Sequence, residues 1–304
     1  MIPQLYIGGQ ALLEGVLMRG GNKVAIAVRK SDHTIHVEVE TRSPLTRRSR
    51  FLALPVVRGT AVLYDSLLIG YRALNKSAAL SGAEDDEEEL SGWQVTLSLL
   101  VSVLLAVGLF LFLPLYGAQW LTGDGSGALF AAVEGGLRLG VFFLYVWLIS
   151  RMDDIRRVFQ YHGAEHKTIN CYEAGEELTV ENVRRHTMIH KRCGTSFLLF
   201  VMLISIVLFS FLSGTRLSMW EMALFRLLML PVVAGLSYEL IRYSGSTTNK
   251  YVTWLVSPGL LMQKLTTREP YDDMIEVAIL SVKCVIPASD PSRGEKDDRP
   301  LTIA

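Results

Sequence analysis

Val95 to Leu121, VTLSLLVSVLLAVGLFLFLPLYGAQWL, decides what kind of protein this is. It lies in an uncharged run from Leu90 to Gly123. It also exceeds the ~20 residues with which a helix rising about 1.5 Å per residue crosses ~30 Å of hydrocarbon. The length predicts a transmembrane helix. Working outward, Ala128 to Ser150 is a second apolar stretch, interrupted by Glu134 and Arg138, and Ser196 to Leu212 with Met219 to Ile241 form a second pair. The composition agrees: 304 residues, 50% hydrophobic and 20% charged, with a mean hydropathy of +0.31, against about 25% charged in a soluble domain. The expected fold is an α-helical polytopic membrane protein with four spans.

Lysine and arginine sort the two sides. Met1 to Gln94 carries eleven, Arg151 to Ser196 eight and the segment after Ile241 eight, whereas Thr122 to Gly127 and Ser213 to Ser218 hold only Arg216. Four spans then place both termini and the middle loop in the cytoplasm. Thirty basic against thirty acidic residues leave no net charge, which excludes a basic field for nucleic acid and leaves membrane lipids as the expected partner. Cys171, Cys193 and Cys284 make an odd count without regular spacing, so a reducing compartment is expected rather than a disulfide framework. The start, MIPQLYIGGQ, lacks the features of a cleaved signal peptide, and the chain is expected to stay intact. Inside the spans, Arg138 and Arg226 need partners. Glu134 and Glu221 are the nearest acids in sequence, giving two expected ion pairs facing the bundle interior, the alternative being a polar path through the membrane.

The remaining segments follow from composition. Residues 1–50 are expected to be cytoplasmic and to hold a β-hairpin, Val24 to Arg29 with Thr34 to Glu40 around Ser31-Asp32-His33. Met274 to Ile286 (MIEVAILSVKCVI) in the 242–286 segment has strand composition, and a small sheet joining the two ends of the chain is expected. Within 51–80, Phe51 to Lys76 reads as an interfacial or re-entrant amphipathic helix. Residues 81–94, with EDDEEE at Glu84 to Glu89, read as a solvated acidic linker, and 287–304 as a disordered tail.

The chemistry is concentrated between spans two and three, in residues 151–195, which contain His162, His166, His186 and His190. Tyr161 to Lys167 reads YHGAEHK, so a helix there puts His162, Glu165 and His166 on one face. Two imidazoles one turn apart can share a metal ion, and the carboxylate between them can take a proton from a water that the metal activates. This is the H-x-x-E-H spacing of inverted zincins. Thr179 is a candidate cap for a helix from Val180 to Lys191, on which His186 and His190 would share a face. Cys193 follows at once, and Cys171 lies five residues after His166. The expected metal is zinc, with His162, His166, His190 and Cys193 as candidate ligands and Glu165 as the candidate general base. The blander alternative is histidines hydrogen-bonded to Glu173, Glu176 and Glu177. The glycine-dense Gly8 to Gly21 lacks the ending of a P-loop and reads as a tight turn or a close approach to a ligand or the membrane surface.

Five stretches carry a family resemblance: GGQALLEGVLMRG (Gly8 to Gly20), YHGAEHKTINCYE (Tyr161 to Glu173), LTVENVRR (Leu178 to Arg185), RCGTSF (Arg192 to Phe197), and TTREP with DDMIEVA (Thr266 to Ala278). Over nearly its whole length the chain resembles the bacterial membrane family DUF1385, also called the YqhQ family. The resemblance implies a metal-dependent enzyme of the bacterial cytoplasmic membrane whose reaction is unassigned. The family pattern usually has proline where this chain has Lys191, and often another residue where it has His186, which favours His190 over His186 as a ligand. Two functions compete. One is a metal-dependent hydrolase at the cytoplasmic face of the membrane. The other is a non-catalytic membrane factor, a lipid or ion conduit or an assembly partner, with a structural histidine cluster.

Overall fold

Residues 7–41 form an antiparallel meander of β1 (Ile7–Leu12), β2 (Gly15–Gly20), β3 (Lys23–Arg29) and β4 (Ile35–Thr41). The structure is a computed structural model that describes residues 5–82, 92–123, 127–211, 217–247, 249–294 and 302–303. The β3–β4 hairpin forms around Ser31-Asp32-His33, with His33 at a left-handed φ of 64°. The glycine-dense segment is a second hairpin, pairing Leu12 with Gly15 and Ile7 with Gly20. Side chains alternate along these strands as a pleated sheet requires. Leu17, Val24 and Ile26 lie on one face, and Val16, Met18, Ala25 and Ala27 on the other.

Helices cover both faces. On the first lies α1 (Val57–Ser81), whose Ile69 and Ala73 meet Leu12, Leu17 and Val24. Its opposite side exposes Tyr64, Leu67 and Leu74. Asp65 is buried on the inner side, where Arg19 of β2 donates to it at 2.8 Å. The second face is covered by α5 (Asp153–Glu173) and α10 (Asp272–Val285). Each large side chain fully buried there, such as Met18 or Ile275, contributes roughly 1.5–3 kcal/mol.

The α10 helix overturns the expected strand over Met274 to Ile286. The segment is rich in β-branched residues, yet Met274, Ile275, Ala278, Ser281, Val282 and Val285 repeat at helical spacing and are all buried. Asp272 and Asp273 in the first turn and Lys283 in the last complement the helix dipole. The two ends of the chain do meet, as a helix laid on a sheet. The Ser281 hydroxyl bonds the carbonyls of Val16 and Ala25, at 3.3 and 3.1 Å. Among the described residues, only Thr302–Ile303, β5, joins the sheet from the C-terminal end, parallel to β4. Residues 287–294, expected to be disordered, instead dock: the Leu178 N–H donates to the Ser292 carbonyl at 2.8 Å, and Tyr172 bonds Asp290 at 3.2 Å. The rest of that tail, apart from β5, and the acidic run Glu84 to Glu89 lie outside the described residues.

The apolar part comprises α2 (Gly92–Val107), a π-helical turn (Gly108–Phe112), α3 (Leu113–Thr122), α4 (Gly127–Ile149), α7 (Gly194–Ser210) and α8 (Met219–Ser246). Among the described residues, three helices are long and apolar enough to cross a membrane: Leu100–Thr122, Gly127–Ile149 and Met219–Ser246. The α7 helix is apolar but has 17 residues, about 25 Å at the rise of a helix. The α1 and α8 helices cross closely where Gly59 meets Gly235.

The buried charges are arranged differently from the expectation. Arg226 does not pair with Glu221, which instead closes a capping box with Ser218 at the start of α8. Arg226 crosses to Glu134 of α4, with Nη2 2.7 Å from Oε2, and Arg138 binds the same carboxylate. One further helix, α9 (Lys250–Thr266), packs on α7 in a segment expected to contain only a strand. The Ser196 hydroxyl bonds the Gly259 carbonyl there at 2.8 Å.

Candidate metal centre

The H-x-x-E-H segment lies in the middle of α5, and His162, Glu165 and His166 are all buried. Gly163 lets this helix approach the chain after α9, because a Cβ there would lie 2.1 Å from the Arg268 carbonyl oxygen. The Arg268 N–H also donates to the Phe159 carbonyl at 2.9 Å. The TTREP segment is thereby held against the histidines.

Each imidazole is oriented by a backbone carbonyl. Nδ1–H of His162 donates to Thr266 at 2.8 Å, and Nδ1–H of His166 donates to Met188. A carbonyl only accepts, so both Nδ1 atoms carry protons and both Nε2 atoms are turned toward one point. Cys193 stands at that point. It is the N-cap of α7, where its sulfur receives the Thr195 N–H at 3.4 Å and lies 3.2 Å from Nε2 of His162. Ligand atoms of His162, His166 and Cys193 lie within 4.8 Å of one another. Nε2 of His166 is buried without a hydrogen-bond partner.

The charges follow from the geometry. Burial works against an imidazolium at His162, but the Cys193 thiolate, its hydrogen bond, Glu165 and the Thr266 carbonyl outweigh it and raise the pKa to about 9. Burial likewise works against a thiolate at Cys193, and His162 with His166 overcomes it, holding the thiol well below its ordinary range. The helix N-terminus adds to this in direction. Burial pushes the Glu165 carboxyl up, against the pull of His162 and His166. Its Oε2 has no partner, and the side chain rests on β1, where a Cβ at Gly9 would lie 2.8 Å from its carboxyl carbon.

The other candidates fall outside this trio. Glu165 stands beside it. His190 follows at a ring distance of 5.8 Å from His166, with Nε2 3.4 Å from Glu173. Gln263 of α9 holds the His190 backbone, accepting from its N–H at 2.8 Å and donating to its carbonyl at 2.7 Å. Thr179 caps α6 (Val180–Arg185), accepting from the Asn182 N–H at 3.3 Å. The helix expected to run to Lys191 ends there, because His186 is already extended. His186 and His190 therefore share no helix face. His186 instead meets Glu176 at 3.3 Å, near Cys171. Gly9, Gln263 and the carbonyls of Thr266 and Met188 escaped the sequence reading. The glycine-dense and TTREP stretches were signals for Gly9 and Thr266, but a backbone carbonyl leaves no residue type to read.

A family model described as "Protein of unknown function (DUF1385)" matches residues 54–288. The chain belongs to the DUF1385 family. This DUF1385 protein is 34% identical over 294 residues to the "Uncharacterized protein YqhQ" of Bacillus subtilis (strain 168), covering 92% of each chain. No solved structure matches it.

Proposed function

We propose that this chain is a zinc-dependent hydrolase at the cytoplasmic face of the bacterial membrane. One observation carries the reading: two buried histidines, each with Nδ1–H fixed on a carbonyl, turn Nε2 toward a single buried cysteine. Carbonyl-bound Nδ1 is the usual outer support of a metal-ligating histidine. Two imidazoles and a thiolate suit zinc, and three protein ligands leave a position for substrate or water. The partnerless Nε2 of His166 fits the same assignment. A zinc ion bound there would supply Lewis acidity.

The chain's own groups divide the work. Thr266 and Met188 fix the two rings. Glu165, with a carboxyl raised by burial and a free Oε2, is the general base, since a base with pKa nearer neutrality holds a proton better in the transition state. His190 braces the site through Glu173 and Gln263. Glu173 itself is kept below its ordinary pKa: burial opposes this, and His190 and Arg192 prevail.

Membrane insertion completes the reading. The proposed topology has four spans, with the shorter α7 as the third and both termini in the cytoplasm, supported by the lysine and arginine distribution. Exposed Trp120 and Trp220 mark one end of the apolar helices and Trp147 and Tyr243 the other, as interfacial aromatic belts do. A reporter fused after Gly123 reads the outer side and one after Ser246 the cytoplasm; the reverse result removes the topology.

Metal analysis of detergent-purified protein tests the centre, with about one zinc per chain expected. Zinc that survives replacement of both His162 and His166 overturns it. A wild type that purifies without metal and gains none from added zinc makes the non-catalytic membrane factor the better reading.

A further inference from the structure

Cys193 forms part of the wall of a groove of about 740 Å³ between α1, the start of α7 and the end of α8. This is within the range of small-molecule sites, roughly 300–1,000 Å³. Its lining is mainly apolar, with Val62, Leu63, Leu67, Phe197, Leu198 and Ile241. Leu67 is 64% and Leu198 47% exposed, so the open side of the groove continues the apolar outer face of α1. An opening rimmed in this way is matched to hydrocarbon rather than to water.

The other end of the groove is cationic. Arg192, Arg242 and Tyr238 line both the groove and an adjoining cavity of about 630 Å³, which also contains Arg58, Glu239 and Tyr6. Arg58 is committed to Glu239 through two hydrogen bonds, of 2.6 and 2.5 Å. Arg192 pairs with Glu173 and lies 5.0 Å above the Tyr6 ring. Arg242 is exposed and makes no hydrogen bond or ion pair among the described residues. An apolar slot therefore ends at an exposed guanidinium, Arg242, whose charge also acts on Glu239 and which shares the groove lining with Cys193.

We infer that this groove binds an anionic phospholipid of the surrounding bilayer, with one acyl chain along α1 and α7 and the phosphate at Arg242, next to the Glu173-paired Arg192. The inference rests on the proposed membrane-facing hydrolase and names its substrate class. Charge complementarity selects the occupant: guanidinium groups pair well with phosphate oxygens, and a lipid supplies anion and chain in one molecule. In this pose the headgroup lies at the end of the groove whose wall includes Cys193.

The test uses the full-length protein in lipid nanodiscs containing a trace of phosphatidylglycerol with a diazirine in one acyl chain, photolysed and mapped by peptide mass spectrometry. Crosslinks are expected to concentrate on α1 and the first turns of α7. Unlabelled phosphatidylglycerol should compete several-fold better than phosphatidylcholine. Ser66→Trp, which fills the groove from an exposed position, should remove the crosslinks, and Arg242→Glu should remove the preference for the anionic lipid while the protein keeps its melting temperature. Crosslinks spread evenly over α2 to α4 and unchanged by Ser66→Trp overturn the proposal. Competition by inorganic phosphate equal to that by phosphatidylglycerol assigns the cations to a free anion and also overturns it. Zinc content is measured on the same samples. Groove labelling in protein that never binds zinc supports the lipid site and removes the hydrolase, whereas a zinc-bearing wild type without groove labelling removes the lipid and leaves the hydrolase.

Discussion

Nε2 of His162 lies 3.2 Å from Sγ of Cys193, the N-cap of α7. The directions in which the two groups are shifted favour an imidazolium–thiolate pair in metal-free protein. Against its burial, Cys193 is held well below an ordinary thiol by His162 and His166, so its alkylation rate should climb less steeply from about pH 6 to 8 than that of a normal thiol, which gains about tenfold per unit. Cys171, raised to about 11 by burial, should remain unlabelled across that range. His162, at about 9, must lose its proton to become a ligand, so zinc binding at pH 7 should release about one proton from it and tighten as the pH rises toward 9. Iodoacetamide mapping and calorimetry in buffers of different ionisation enthalpy read these two outcomes. A Cys193 rate that climbs about tenfold per pH unit, as an ordinary thiol's does, contradicts the pair.

The candidate centre was legible in the sequence where its side chains came from one helix. The spacing of His162, Glu165 and His166 is a local property of α5, and Cys193 is distinctive by residue type. The length of the next helix was misread because nothing in Val180 to Lys191 forbids a helix, whereas the observed chain turns out at His186, and Gln263 holds His190 from another helix. The strand expected at Met274 failed for a related reason. Its β-branched residues suit a strand or a buried helix, and the finished sheet offered a face for the latter. The partner of Arg226 was illegible because Glu134 lies 92 residues away.

Glu165 and His162 separate catalysis from metal binding. Glu165→Gln keeps the shape of the carboxylate without its basicity, so zinc should stay while any turnover falls by at least about a hundredfold. His162→Ala removes a ligand and should lose the zinc. Equal zinc loss in both variants would make Glu165 a ligand or a structural support rather than a base, and metal content compared at matched melting temperature decides this.

Gly9 is a sharper probe of the same carboxylate because it lies far from it in sequence. A Cβ at Gly9 meets the carboxyl carbon of Glu165 at 2.8 Å, closer than two unbonded carbons allow. Gly9→Val should displace Glu165 and reproduce the loss of turnover, with zinc retained on His162, His166 and Cys193. Zinc loss in Gly9→Val would show that β1 supports the ligands themselves. Metal analysis beside any lipid hydrolysis assay separates the two.

Glu134 is bound by both Arg138 and Arg226, so two guanidiniums share one carboxylate among apolar helices. Phe209 lies 5.4 and 5.3 Å from the two guanidinium carbons, and Ser205 accepts from Arg138 at 3.3 Å. The cluster keeps one positive charge in excess, which the ring face and the hydroxyl partly offset. Glu134→Gln would leave two buried cations without a counter-charge and should cost about 3–5 kcal/mol, the penalty for removing one partner of a buried pair. Replacing Glu134, Arg138 and Arg226 together by leucine removes the charges along with their desolvation cost, so the triple variant should be more stable than the single one. Unfolding in mild detergent ranks them. If the triple variant keeps both its fold and its zinc, the cluster is a joint between α4 and α8; if it folds as stably as the wild type yet loses a transport or lipid-handling activity in vesicles, the charges serve the non-catalytic function instead.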